Sequence, residues 1–183
     1  VKILLVGKAG AGKDTVADIL VRDYGYTRYA FADKLKEIAK DLFPDHFQEG
    51  KPRRLLQELG VKIREIDPDV WVNYVLNRVQ GENVVITDGR FDNEVNLCRR
   101  AGFVVVEVSC PPEIRVLRLA KRDGRFPTEE ELSHVSEGLD VEPDYYLLNT
   151  GDKLHLEGLV RRMVESSREG GLENGPGVTT DLL

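Results

Sequence analysis

Three things are scarce in this chain of 183 residues, and each scarcity excludes something. There are only two cysteines, Cys98 and Cys110, at a spacing that suits neither a metal knuckle nor a redox pair. Reduced thiols in a cytoplasmic protein are therefore expected. No apolar run approaches the length of a membrane span, and the opening Val1–Val6 is too short for the core of a secretory signal. Positive charge is not in excess: the net charge is -6, so a nucleic-acid-coating surface is not expected and any functional positive charge should be local. An Asn-Lys-x-Asp guanine signature is missing as well, which argues against a guanine-nucleotide switch.

What is present begins at the first residue. Val1–Val6 is a short branched-apolar run, as a buried parallel strand requires. A turn with Gly7, Gly10 and Gly12 follows, then Lys13, Asp14 and Thr15, then apolar residues at helical spacing. Strand, glycine loop and helix in that order, with Gly7-x4-Gly12-Lys13, form a phosphate cradle. Its backbone N–H groups and the helix N-terminus attract phosphate, and Lys13 reaches the terminal phosphates. Lys8, Gly10, Gly12, Lys13, Asp14 and Thr15 are the candidate donor-phosphate residues. The residue after the lysine is usually Ser or Thr. Here Asp14 stands in that place, able to hold Mg²⁺ directly or through water, with Thr15 left for a more interior phosphate.

Further along, apolar runs alternate with helical patterns. Strands are expected at Tyr26–Phe31, Asn83–Thr87, Phe103–Val108 and Tyr145–Leu148. Helices are expected at Lys13–Asp23, Ala32–Leu42, from Pro52, at Asp69–Gln80, at Asn93–Arg100, from Pro112 to about Arg122, and at Leu154–Ser167, with a polar loop at Asp45–Lys51. This is an α/β chain: a five-stranded parallel sheet with helices on both faces. The single domain spans 1–169. Residues 32–80 are too long for one crossover and read as a helical, acceptor-binding insert, while 115–138 reads as a lid. The tail from Gly170 is rich in Gly and Pro and is expected to lack order.

Several side chains invite chemistry. Asp88, at the end of the third strand, can hold a Mg²⁺-bound water, and Arg90 and Glu94 can grip or orient an acceptor. Arg53 and Arg54 open a helix in the insert and Lys36 precedes them, although most such cations form solvated faces. The single tryptophan, Trp71, suits a base stack or the core equally well. Arg115, Arg118 and Arg122 fall on one helix face, where a cationic lid would stabilise a phosphoryl group in flight. Arg125, His134 and Glu137 are weaker candidates of the same lid. Asn149 and Gly151, after the fifth strand, are candidate adenine contacts, or simply a helix-capping turn.

The segments GKAGAGKDT, FADKLKE, RRLLQELG with DPDVW, TDGRFDNE, HVSE and the closing strand–Asn–x–Gly, in this order, resemble the deoxynucleoside monophosphate kinases of tailed phages. The resemblance implies a P-loop kinase fold and transfer of the γ-phosphoryl of ATP, with Mg²⁺, to a dNMP, giving dNDP and ADP. It places Leu35, Lys36, Arg54, Gly60, Trp71, Asp88, Arg90 and Glu94 around the acceptor, moves Trp71 towards base or sugar contact, and implies a homodimer. Ala9 and Gly10 stand where the family can carry an arginine, which gives Arg118 and Arg122 more to do. Another small P-loop kinase, with a phosphomevalonate or ribonucleotide acceptor, also fits, and so, less well, does a non-kinase nucleotide switch. Neither a nucleic-acid polymer nor a membrane is expected as a partner.

Overall fold

In the computed structural model, residues 1–48, 50–129, 132, 142–168 and 177–178 are described. The elements run β1 (Lys2–Val6), α1 (Lys13–Tyr24), β2 (Thr27–Tyr29), α2 (Phe31–Leu42), a 3₁₀ turn (Pro44–Phe47), α3 (Arg53–Ile66), α4 (Val70–Leu76), β3 (Val84–Gly89), α5 (Asp92–Arg100), β4 (Phe103–Ser109), α6 (Pro112–Asp123), β5 (Tyr145–Leu148), α7 (Lys153–Arg168) and β6 (Gly177–Val178).

The strands line up as β2-β3-β1-β4-β5-β6, every pair parallel. Lys2 is level with Val84 on one side and with Phe103 on the other. The five expected strands are all there. The sixth, two residues long, comes from the tail, for which the sequence suggested no element.

Strand β1 shows how the core is divided. Successive side chains of a strand point to opposite faces, and each face is covered. Ile3 and Leu5 enter a cluster with Val16, Ile19 and Leu20 of α1 and with Leu159, Val160 and Met163 of α7. Leu4 and Val6 enter a second cluster with Phe31 of α2, Trp71, Val72 and Val75 of α4 and Val95 and Cys98 of α5. A strand buried on both faces has no polar alternation, which is why Val1–Val6 reads as one apolar run. Cys98 lies inside the second cluster, where burial pushes its thiol up to about 12. It is inert, as expected of a structural cysteine.

Several boundaries differ from the sequence reading: β2 is only Thr27–Tyr29, because Phe31 opens α2, and β3 runs on to Gly89. Helix α4 stops at Leu76 instead of Gln80. Arg78 explains the early end: its guanidinium donates to the Tyr74 carbonyl at 3.0 Å and stacks 3.6 Å from the Tyr74 ring. A cation thus satisfies a last-turn carbonyl of the helix. Within the stretch expected to be loop, Pro44–Phe47 winds into a short 3₁₀ turn.

Because all strands run the same way, the segments following β1, β3, β4 and β5 emerge at one edge of the sheet. The chain crosses from β1 towards β2 and β3 on one side and on to β4 on the other, so this edge opens at β1, where folds of this kind bind ligands.

Candidate functional site

The loop after β1 requires glycine at two places. Gly7 has φ 128°, and a Cβ there would lie 2.2 Å from the Val108 carbonyl oxygen of β4. Gly12, at the cap of α1, has φ 108°, and a Cβ would lie 2.3 Å from the Asn149 amide nitrogen. Only glycine allows this backbone to press against its neighbours. Lys13 curls back over the loop, its ammonium donating to the carbonyl oxygens of Gly7 at 2.5 Å and Lys8 at 3.2 Å. Asp14 is exposed in the first turn of α1, beside Thr15.

The polar side chains around this loop mostly support it. Arg115 is buried and donates from Nε to the Ala9 carbonyl at 2.9 Å, so it braces the cradle. Asn149 is also buried, and its amide donates to the Ala11 carbonyl at 2.8 Å. This corrects the expectation for Asn149. Its side chain is committed to the cradle, and the capping role after β5 falls to Asp152, which accepts from the His155 N–H at 2.9 Å. Arg118 reaches the Asn149 Oδ1 and the Gly151 carbonyl, each at 3.4 Å, and so ties the loop after β5 to α6. Gly151 enters the site by its carbonyl, and a Cβ there would meet the His155 side chain.

The arginine face of α6 is therefore graded. Arg115 is buried, Arg118 is half-buried, and Arg122 is the one that reaches the open part of the site. Asp123, opposed by burial, holds the Arg122 guanidinium above its usual value, and Asp14 acts on it through space. Arg122 thus lies within electrostatic reach of Asp14, in the first turn of the helix that follows the glycine loop. His134 and Glu137, and much of the segment expected as a lid, lie outside the described residues.

On the other side of β1, Asp88 has a structural task. Its two carboxylate oxygens accept the N–H groups of Phe31 at 2.8 Å and Ala32 at 2.9 Å, which caps α2 from the end of β3. Burial pushes its carboxyl up from the usual range, although both amides and Arg90 oppose the shift. Glu94 is buried and equally occupied. It accepts from the N–H groups of Arg90 and Phe91 at 2.9 and 3.2 Å and pairs with Arg64 at 2.7 Å. Burial pushes its carboxyl up, against the pull of Arg90 and Arg64.

Three expected acceptor contacts are corrected. Trp71 keeps only 4% of its surface exposed and donates from Nε1 to the Gly60 carbonyl at 3.4 Å, so its ring belongs to the core and not to a base stack. Gly60 permits close packing of α3 on α2, since a Cβ there would lie 3.1 Å from the partly buried Leu35. Both are helix-packing residues. Arg54 is 92% exposed and pairs with Glu58 one turn along, a solvated face of α3.

The cations that do gather come from four separate segments. Lys51, before α3, is held below its usual ammonium value, first by desolvation and then by Lys36, Arg53, Arg90 and Arg122. It retains exposed surface, so the crowding by like charge is the telling feature. Lys36 rises from α2, Arg53 from the start of α3, Arg90 from the end of β3 and Arg122 from the end of α6. Lys51 and Arg53 were not singled out over Arg54 by pattern. A usable signal was there, however: Lys51-Pro52-Arg53-Arg54 puts three cations at a helix N-terminus with no acid in the first turn. The helix dipole disfavours that arrangement unless an anion is shared. Among the described residues, no three His, Cys, Asp or Glu side chains form a ready metal cage, and no helix is long and apolar enough to cross a membrane.

With this geometry in view, known proteins can be set beside the chain. Residues 3–135 match the AAA domain family. A protein of Acanthamoeba polyphaga mimivirus, provisionally named a deoxynucleotide monophosphate kinase, is 26% identical over 168 residues, covering 74% of this chain and 83% of the other. TT1252 from Thermus thermophilus superposes with a TM-score of 0.59 at 23% identity, over 92% of this chain and 97% of that one. A shikimate kinase from Acinetobacter baumannii, in complex with shikimate, gives 0.59 at 18%, over 92% and 93%. A gluconokinase from Sinorhizobium meliloti 1021 gives 0.58 at 14%, over 92% and 96%. At such identities the structural likeness is one of fold. The chain belongs to the AAA domain family, as a P-loop protein built on the fold of the small kinases.

Proposed function

We propose that the chain is a deoxynucleoside monophosphate kinase, transferring the γ-phosphoryl of ATP to the phosphate of a dNMP and releasing dNDP and ADP. The observation that carries this reading is a cationic cluster in which Arg53 and Arg122 meet on the Asp123 carboxylate, with Lys36, Lys51 and Arg90 within electrostatic reach, at the same sheet edge as the phosphate cradle. One cationic cradle serves the donor; the second calls for an acceptor that is itself anionic. Shikimate and gluconate, the acceptors in the names of two fold neighbours, carry one carboxylate charge each, whereas a nucleotide phosphate carries up to two and asks for more cations. The name of the mimivirus relative points the same way.

Each residue then has a task. The backbone of Gly7–Thr15 and the ammonium of Lys13 bind the donor phosphates and set their direction. Lys36, Lys51, Arg53 and Arg90 hold the acceptor phosphate, whose oxygens are already anionic, so no strong general base is required. Arg122 reaches the same acceptor phosphate and, as the bond forms, neutralises charge on the group in transit. Positioning and neutralisation of this kind supply most of the acceleration in phosphoryl transfer. The exposed Asp14 carboxylate, the Thr15 hydroxyl and the remaining lone pairs of Asp88 form a sparse oxygen set. Such a set fits a Mg²⁺ that arrives on the nucleotide and keeps several waters. When bound, that ion neutralises the β- and γ-phosphates.

The test is ADP release from Mg·ATP with each deoxy- and ribonucleoside monophosphate, phosphomevalonate, shikimate and gluconate in turn, beside a control without acceptor. Strong stimulation by deoxynucleotides supports the reading, whereas stimulation only by an unphosphorylated acceptor would sink it. Gel filtration of the same preparation checks the expected homodimer.

A further inference from the structure

A single carboxylate is shared by two of the clustered arginines. Asp123, the last residue of α6, receives a two-point fork from Arg122, Nε to Oδ1 at 2.8 Å and Nη2 to Oδ2 at 3.0 Å. The same Oδ2 lies 2.7 Å from Nη2 of Arg53, at the start of α3. Arg122 and Arg53, in that order of strength, hold the Asp123 carboxyl well below the usual carboxylate range. It keeps only 19% of its side chain exposed. A fork from one guanidinium and a second guanidinium arriving from another element is also how arginines grip a phosphate. Both arginines are among the cations crowding Lys51. Asp123 thus supplies an anion where the chain has collected the means to bind one.

We propose that Asp123 is a positioning residue that stands in for the acceptor's phosphate, holding Arg53 and Arg122 until that phosphate displaces its carboxylate. The proposal rests on the reading of the cluster as an acceptor-phosphate site. The exchange is one of hydrogen-bond partners and involves no covalent step. It has two effects. The arginines are already oriented before the acceptor arrives, so less side-chain freedom is lost on binding. In addition, α3 and α6 are tied together until an acceptor is present, and the end of α6 is released for transfer only then.

Inorganic phosphate is the probe, titrated into the full chain with the donor site filled by Mg²⁺ and a non-hydrolysable ATP analogue, with binding read from ³¹P line widths. Because this probe is independent of which acceptor is phosphorylated, failure of the deoxynucleotide panel and failure of this proposal are separate results. Asp123→Asn keeps the shape and removes the charge, and phosphate should bind about fivefold more tightly. Most of that gain should vanish when Arg53→Ala is added, since the competition is for the guanidinium. Unchanged or weaker binding in Asp123→Asn overturns the proposal. So does a gain that persists in full beside Arg53→Ala, which would reflect only the field of a lost charge. Should Asp123→Asn not fold, the unmodified chain decides. Phosphate should shift the Arg53 and Arg122 side-chain Nε–H resonances with one shared affinity, and fixed resonances overturn the idea.

Discussion

The donor side of this site is written in nine consecutive residues, Gly7 to Thr15, and its binding groups are largely backbone. The proposed acceptor side draws on Lys36, Lys51, Arg53, Arg90 and Arg122, five positions spread over more than eighty residues and brought within electrostatic reach only by the fold. Their polar economies differ as well. Around the cradle, Arg115, Arg118 and Asn149 are engaged in holding the loop in shape. Around Lys51, four cations are gathered whose charge is offset in part by Asp123, on Arg53 and Arg122, and by Asp33, on Lys36. A rigid backbone cradle can serve any nucleoside triphosphate, whereas a side-chain cluster can be retuned one residue at a time. Substrate choice should therefore lie on the second side.

The sharpest way to separate the two sides is by kinetics. Lys13→Ala removes the ammonium proposed to bind the donor phosphates, and kcat should fall on the order of 10³-fold or more. Wild-type turnover would remove the cradle from the reaction. Arg90→Ala attacks the other side: the acceptor KM should rise about tenfold with the KM for ATP nearly unchanged. Arg54→Ala, from the solvated face of α3, should leave both constants alone. If Arg54→Ala and Arg90→Ala prove equivalent, the cluster does not mark the acceptor.

Trp71→Phe tests the core placement and should have a smaller, purely structural effect. Loss of the indole volume and of its bond to Gly60 should lower stability by about 1–3 kcal/mol, seen as a drop in Tm, with the acceptor KM within about twofold. A large KM change at unchanged Tm would return the indole to the acceptor. The smallest expected effect is a slope. Asp88 has its folded carboxyl value raised above 3.8 by burial. Its contribution is therefore fully present below that unfolded value and declines as pH rises through the raised one. The Tm advantage of wild type over Asp88→Asn should shrink as pH is raised from acidic to neutral; a growing advantage would reverse the assigned cause.

The same contrast explains what could be read in advance. Apolar runs and glycine punctuation are local signals, so the parallel strands, the cradle and the α6 arginine face were all visible in the string. Trp71, Gly60 and Glu94 were drawn towards the acceptor because a motif marks that a residue matters without saying whether to a ligand or to a helix contact. Their partners, Gly60 for Trp71, Leu35 for Gly60 and Arg64 for Glu94, stand 11 to 30 positions away, and no periodicity links them. Asn149 was read by its place after β5, and its bond to Ala11 crosses 138 residues. Lys51 and Asp123 looked like ordinary surface charges until the fold set them beside Arg53 and Arg122.

The Asp88 carboxylate has one more consequence. It fastens the first turn of α2 to the end of β3 through the N–H groups of Phe31 and Ala32, while the other end of the helix leads on to the 3₁₀ turn and α3. A rod pinned at one end cannot slide; it can only swing. Over its 12 residues, α2 is a lever about 18 Å long, and a turn of about 10° at the pin carries its far end about 3 Å. Lys36, near mid-rod, would travel about half as far. If the acceptor side closes on its substrate, α2 would carry the α3 and α4 packed against it along an arc centred on Asp88.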